Sequence, residues 1–117
     1  MHERSLVRSL LRQVQALAAE HPTNRVVSIK VRIGEFSGVE PELLHSAYLE
    51  MVEHSSVRGA ELAIERVSLE AVCDQCSKLF AVENYHFQCP HCGSLRLTIH
   101  GGEEMLLDSI SMEETEP

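Results

Sequence analysis

The sequence predicts an α+β fold: a small three-stranded sheet with two helices packed on it, plus an inserted zinc-ribbon module. Three observations carry this expectation. Two segments repeat apolar residues at helical spacing, and each is followed by a segment that alternates with period two. Four cysteines stand in two Cys-x-x-Cys pairs after the second of these strands. An apolar alternation resumes beyond them, so one sheet must close around the insert. Composition agrees: 117 residues, 44% hydrophobic and 24% charged, suit one small globular domain carrying a smaller insert. Only 4% of residues are aromatic and none is Trp, so the core must be aliphatic.

The first helix is expected from about Glu3 to Glu20. Leu6, Val7, Leu10, Leu11, Val14, Leu17 and Ala18 share one face, with Arg4, Arg8, Arg12 and Gln15 between them. Pro22 to Asn24 ends it. Val27, Ile29, Val31 and Ile33 then alternate with Ser28, Lys30 and Arg32, the pattern of a strand with one wet face.

A turn over Gly34 to Glu40 leads to Pro41, a residue tolerated in the first turn of a helix. Leu44, Ala47, Tyr48, Met51 and Val52 mark that second helix, and Gly59 lies beyond its end. Leu62 and Ile64 alternate as a second strand. The apolar parity then passes to Val67, Leu69 and Ala71, which predicts a bulge or a module boundary near Arg66 to Ser68. After the Gly101-Gly102 break, Leu106, Ile110 and Met112 share a parity in a last strand, and Glu113 to Pro117 read as a solvated acidic end. The expected division is a discontinuous helix-and-sheet domain, residues 1–68 with 103–117, interrupted by a zinc-ribbon domain, residues 69–102.

A formal charge of −8 excludes a phosphate-dominated partner, because nucleic-acid binding needs clustered Lys and Arg. No stretch approaches the 18 apolar residues of a membrane span, and Arg8 and Arg12 interrupt any apolar signal region. A cytoplasmic protein is expected. There is no Ser/His/Asp arrangement, no phosphate-binding glycine loop and no motif-placed carboxylate pair, so no enzyme is expected.

The cysteines carry the strongest signal. Cys73-Asp-Gln-Cys76 and Cys89-Pro-His-Cys92 are two knuckles separated by twelve residues. Each turn aims two thiolates at one point, and together they close a tetrahedron around a d¹⁰ ion such as Zn²⁺. Gly93 allows the tight backbone after the second knuckle. The hairpin between, with Leu79, Phe80, Val82 and Phe87, supplies a minimal core, too small to fold without metal. One structural zinc per chain is the favoured reading. A rubredoxin-like iron site also uses a Cys-Pro-x-Cys-Gly turn and stays open, whereas a redox pair needs one Cys-x-x-Cys, not two. His91 lies inside the second knuckle and is a lesser candidate ligand. His86 and His100 flank the module as candidates for a second metal, while His21, His45 and His54 read as solvated.

The N-terminus, Met1-His2-Glu3, offers a different donor set. The α-amine, a backbone nitrogen and the imidazole of His2 can reach one metal, and nitrogen donors in a plane suit Ni²⁺ and Cu²⁺ better than Zn²⁺. Here the residues match a family. The N-terminal Met-His-Glu, the segments VRIGEFSGVEP and GAELAIE, the paired knuckles ending in CPHCGS, and the closing GGEEMLLDSISME resemble the HypA/HybF hydrogenase nickel-incorporation proteins, over essentially the whole chain.

The resemblance implies a nickel metallochaperone for NiFe-hydrogenase maturation, working with a HypB-type GTPase and the hydrogenase large subunit. It implies His2 as the nickel ligand and Cys73, Cys76, Cys89 and Cys92 as ligands of structural Zn²⁺. Ni²⁺ is then a transient cargo. Glu3 belongs to the same motif and could lend its backbone nitrogen; Glu40 is a candidate nearby carboxylate. Ser77 departs from the family pattern, which has Gly at that point of the first knuckle in many relatives. Two rival readings are a zinc-ribbon adapter that only docks a partner and a rubredoxin-like electron carrier.

Overall fold

Helix α1 runs from His2 to Ala19 and buries the stripe its sequence advertises: Val7, Leu10, Leu11 and Val14 are all inside. The structure, a computed structural model, describes residues 2–102 and 104–114, without the His2 side chain. Glu103 and the last three residues of the acidic end lie outside the described residues. The elements after α1 are β1 (Asn24–Gly34), α2 (Pro41–Val52), β2 (Glu61–Val67), β3 (Glu70–Cys73), β4 (Leu79–Ala81), β5 (Leu97–Gly101) and β6 (Met105–Glu114). They form two three-stranded sheets, ordered β2-β1-β6 and β4-β3-β5. The chain divides into two compact units, residues 1–32 with 39–65 and 106–117, and residues 33–38 with 66–105.

In the first unit, the two helices supply one buried face each. Helix α2 starts on Pro41, with Glu40 at its N-cap in extended conformation and the Glu40 carbonyl accepting from Leu44 N–H at 2.9 Å. It buries Leu44, Ala47, Tyr48 and Val52. Each fully buried Leu, Val or Ile contributes roughly 1.5–3 kcal/mol. Tyr48 is fully buried in this interior, and its hydroxyl donates to the Ala60 carbonyl at 2.7 Å. Burial pushes that hydroxyl up to about 12. Two polar links tie α1 to the segment at and after α2: Arg4 Nη1 to Glu50 Oε2 at 2.9 Å, and Gln15 Oε1 accepting from the Ser56 amide and hydroxyl.

Central strand β1 alternates as expected from Ile29 to Ile33, with Lys30 and Arg32 outside. Lys30 Nζ meets Glu65 Oε2 of β2 at 3.0 Å on that outer face. Near its start Val26 is buried and Val27 is only half-buried, so the two-residue alternation slips there. A similar slip overturns part of the reading of the last strand. Leu106 is 50% exposed, while Leu107 shares the inner side with Ile110 and Met112. Asp108 and Ser109 are exposed in succession, and that extra residue shifts the face. Leu17 also departs from expectation: the buried stripe of α1 ends at Val14, and Leu17 is 40% exposed.

In the second unit, β3 pairs antiparallel with β4 and with β5, and a register shift falls between Glu70 and Ala71 on the β5 side. Leu69, Ala71 and Val82 form the core, with Phe36, Phe80 and Leu97 packed against it. The expected hairpin core is therefore corrected. Val82 is buried and Phe80 partly so, but Leu79 is 50% exposed and Phe87 41%. A three-residue strand has too little inward face, and Phe36 from a distant turn supplies what is missing.

Three backbone bonds stitch residues 34–36 to this unit. Gly34 donates to the Glu104 carbonyl (2.9 Å), Glu35 to Val67 (2.7 Å) and Phe36 to Gly102 (3.0 Å). Gly102 sits at φ +95, and a Cβ there would lie 2.6 Å from Leu69 Cα and 2.6 Å from the Ser68 oxygen. Only glycine permits that approach.

Candidate metal centre

Strand β3 delivers Cys73 at its last residue, and the chain turns at once into the first knuckle. Ser77 N–H donates to the Cys73 carbonyl at 2.8 Å, and Cys73 N–H donates to the Lys78 carbonyl at 3.0 Å. The second knuckle repeats both bonds: Gly93 to Cys89 and Cys89 to Ser94, each 2.9 Å. The fifth residue is left-handed in both, with φ 62 at Ser77 and 78 at Gly93. The first knuckle thus takes the same turn as the second without the glycine.

The surroundings hold the knuckles in place. Asp74 accepts from the Thr98 hydroxyl of β5 at 2.7 Å, and Asp74 N–H donates to the Arg96 carbonyl. Gln88 Nε2 donates to the Gly93 carbonyl at 3.0 Å. Cys73 and Cys89 are buried, Cys76 is half-buried and Cys92 is exposed. The four sulfurs all lie within 4.8 Å of one another. Cys73 Sγ is 3.5 Å from Cys92 Sγ, and Cys76 Sγ is 3.6 Å from Cys89 Sγ.

These separations fit a tetrahedral ion. Metal–sulfur bonds of about 2.3 Å imply sulfur–sulfur edges of about 3.8 Å. Backbone amides already aim at the sulfurs, Cys76 N–H at Cys73 Sγ and His91 N–H at Cys89 Sγ, both 3.4 Å. Such bonds favour thiolate.

The ionisation pattern also calls for a cation. The Cys76 amide lowers Cys73 to about 6, against burial. Cys89 is lowered too: burial opposes ionisation there, but the Cys92 and His91 amides and the neighbouring sulfurs outweigh it. Cys76 is raised, because burial and its bonds to Cys89 and Cys73 prevail over the Lys78 amide. Cys92 rises to about 12; the Ser94 amide would lower it, but Cys73, burial and the other thiols push it up. Four like charges this close do not ionise together without a divalent ion among them.

The histidines stand apart. Among the described residues the sulfur cluster contains no histidine, and His86, His91 and His100 are all exposed. Glu40 is exposed at the N-cap of α2. The nickel expectation at His2 concerns a side chain outside the described residues; its backbone lies in the first turn of α1.

Glu3 carries the feature that the sequence reading missed. It is buried, 4% exposed, in the first turn of α1. The signal was present: Glu3 precedes Val7, Leu10 and Val14 at spacings of four, three and four, so it shares their inner face. A carboxylate there also complements the positive end of the helix dipole.

A family model described as hydrogenase/urease nickel incorporation, metallochaperone, HypA, matches residues 1–112. The hydrogenase maturation factor HypA of Desulfitobacterium hafniense (strain DSM 10664 / DCB-2) is 36% identical over 114 residues, 97% of this chain and 100% of the relative. That of Aquifex aeolicus (strain VF5) is 39% identical over 113 residues, 97% and 98% of the two chains. Among solved structures, the solution structure of the Ni metallochaperone HypA from Helicobacter pylori superposes with a TM-score of 0.71 at 32% identity, covering 98% of this chain and 100% of that one. A second solution structure of a HypA protein gives 0.75 at 32% identity, covering 97% of each.

Proposed function

Since the chain belongs to the HypA family of nickel-incorporation metallochaperones for hydrogenase maturation, we propose that it binds Ni(II) at its N-terminus and helps to insert it into NiFe-hydrogenase. The observation that carries this reading is the reach of the family match, which runs from residue 1 to residue 112 and so takes in both the Met-His-Glu start and the four-sulfur cluster.

His2 supplies an imidazole, and the adjoining amine and backbone nitrogens complete a planar donor set of the kind Ni²⁺ accepts. Burial of Glu3 ties the chain down one residue later, so the donor set starts on an anchored helix. Nickel is bound as cargo and passed on, and this chain performs no bond chemistry on it.

The second metal has another role. Cys73, Cys76, Cys89 and Cys92 hold one Zn²⁺ per chain, a closed four-thiolate site with no open position for substrate. The zinc cross-links two knuckles beside the small apolar core of Leu69, Ala71 and Val82. The partners are a HypB-type GTPase, to which any nucleotide hydrolysis belongs, and the hydrogenase large subunit. No helix is long and apolar enough to cross a membrane among the described residues.

The reading is tested by titrating Ni(II) into protein with an authentic N-terminus and into the same chain extended by Gly-Ser before Met1. The amine donor requires tighter binding by the first. Equal affinities would remove the amine from the donor set and leave the imidazole alone.

A further inference from the structure

The sequence contains only five aromatic residues, three Phe and two Tyr. Three of them meet on the surface of the second unit. Phe36, which rests on the Leu69, Ala71 and Val82 core, has its ring centroid 5.2 Å from that of Tyr85, with the planes tilted by 45°. Phe87 meets Phe36 edge-on, at 6.0 Å and 81°. Yet Tyr85 is 71% exposed and Phe87 41%. A chain poor in aromatics has left these two exposed, each in ring contact with the partly buried Phe36.

The backbone under Tyr85 sharpens the point. His86 N–H donates to the Glu83 carbonyl at 2.9 Å, closing a tight turn whose two central residues, Asn84 and Tyr85, have φ 51 and 59. Asn tolerates this left-handed shape, and the residue after it is ordinarily Gly. A bulky aromatic there is strained, and such strain persists where it positions a side chain for use. The chain segments that carry these rings are acidic. Glu35, Glu83 and Glu104 are exposed, and segments 33–38, 81–88 and 101–104 contain no Lys or Arg.

We propose that this aromatic face docks a partner protein through a segment that is both cationic and aliphatic. An Arg side chain laid on the exposed Tyr85 ring gains a cation–π contact, with its charge toward the glutamate rim. A neighbouring Leu or Ile covers Phe36 and Phe87. Tyr and Arg pairs of this kind dominate the energetics of protein interfaces. The rim repels nucleic-acid phosphates, anionic lipid and a second copy of this chain, whose net charge is −8. The inference does not depend on nickel at His2.

The test is an amide NMR titration of the full-length protein with three twelve-residue peptides, Arg alternating with Leu, Arg with Ser, and Glu with Leu. Saturable shifts centred on Phe36, Tyr85 and Phe87 are expected with the first, at least tenfold weaker binding with the second, and none with the third. Tyr85→Gly should fold with equal or higher thermal stability, because the turn is relaxed, and bind Arg-Leu at least tenfold more weakly. Equal binding of Arg-Ser, shifts spread over the whole acidic surface, or undiminished binding by Tyr85→Gly would each overturn the proposal. So would a Tyr85→Gly protein that loses stability but not binding, since that is the behaviour of a packing residue.

Discussion

Ser77 and Gly93 hold one backbone shape at the same place in two turns. Each is left-handed, at φ 62 and 78, and each donates its N–H to the carbonyl of the cysteine four residues earlier. The left-handed region costs a side-chain-bearing residue roughly 1–2 kcal/mol that glycine does not lose. Ser77→Gly should therefore stabilise the metal-loaded protein by about 1 kcal/mol, read as a higher unfolding midpoint. Ser77→Val, with a branched Cβ, should lower it. An unchanged midpoint in both variants would mean that the turn is not strained.

The four sulfurs predict a proton-linked metal site. At pH 7 the raised Cys76 and Cys92 carry protons, whereas Cys73, at about 6, is largely ionised. Zinc loading therefore expels protons from at least Cys76 and Cys92, and affinity falls as the pH falls. Calorimetry in buffers of different ionisation enthalpy measures that release directly. The loaded protein should be colourless, as zinc thiolates are, with one zinc per chain by metal analysis. A red protein with one iron would replace the zinc reading by the electron-carrier one.

Removing the metal should act locally. Cys76→Ser should release zinc and unfold the knuckles, because the apolar cluster beside them, Leu69, Ala71 and Val82, is small. The helical circular dichroism signal should persist, since α1 and α2 bury their own stripes in the first unit. Loss of the whole helical signal on zinc removal would show that the two units do not fold independently.

Gly102 offers a backbone test. Its missing Cβ leaves room for Leu69 Cα and the Ser68 oxygen, both 2.6 Å from where that atom would lie. Both obstacles are backbone and cannot rotate away. Gly102→Ala should thus destabilise by roughly 2 kcal/mol or more, from the clash together with the positive φ. Gly59→Ala is the control: φ is +93 but nothing lies within 4 Å, so its cost should be smaller. Equal costs would assign both effects to φ alone.

Both helices and the central strand were legible in the sequence because one face of each is buried, and burial writes its period into residue choice. The cysteine spacing was legible for a similar reason, since metal geometry tolerates few turns. What escaped was set by contacts distant in sequence. Phe36 completes the core of the second unit from a turn some thirty residues before that core. The inward side of β6 changes at Asp108 and Ser109, and neither residue announces the slip. Strand β5 pairs with β3, yet the segment Leu97–Gly101 has only Leu97 and Gly101 half-buried and shows no clean alternation. Glu3 was hidden in plain view, because a carboxylate on a buried helical face reads as part of the wet one.

The nickel assignment at His2 is tested most directly by one titration. Ni(II) is added to untagged wild-type protein and to His2→Ala, and affinity is followed together with zinc content and thermal unfolding. One specific nickel per chain is expected for the wild type and none for the variant. Zinc content and unfolding temperature should stay within error of each other, because the four cysteines lie far along the chain and the buried stripe of α1 begins only at Glu3. A His2→Ala protein that binds one Ni(II) at wild-type affinity would contradict the assignment and move the search to the exposed His86, His91 and His100.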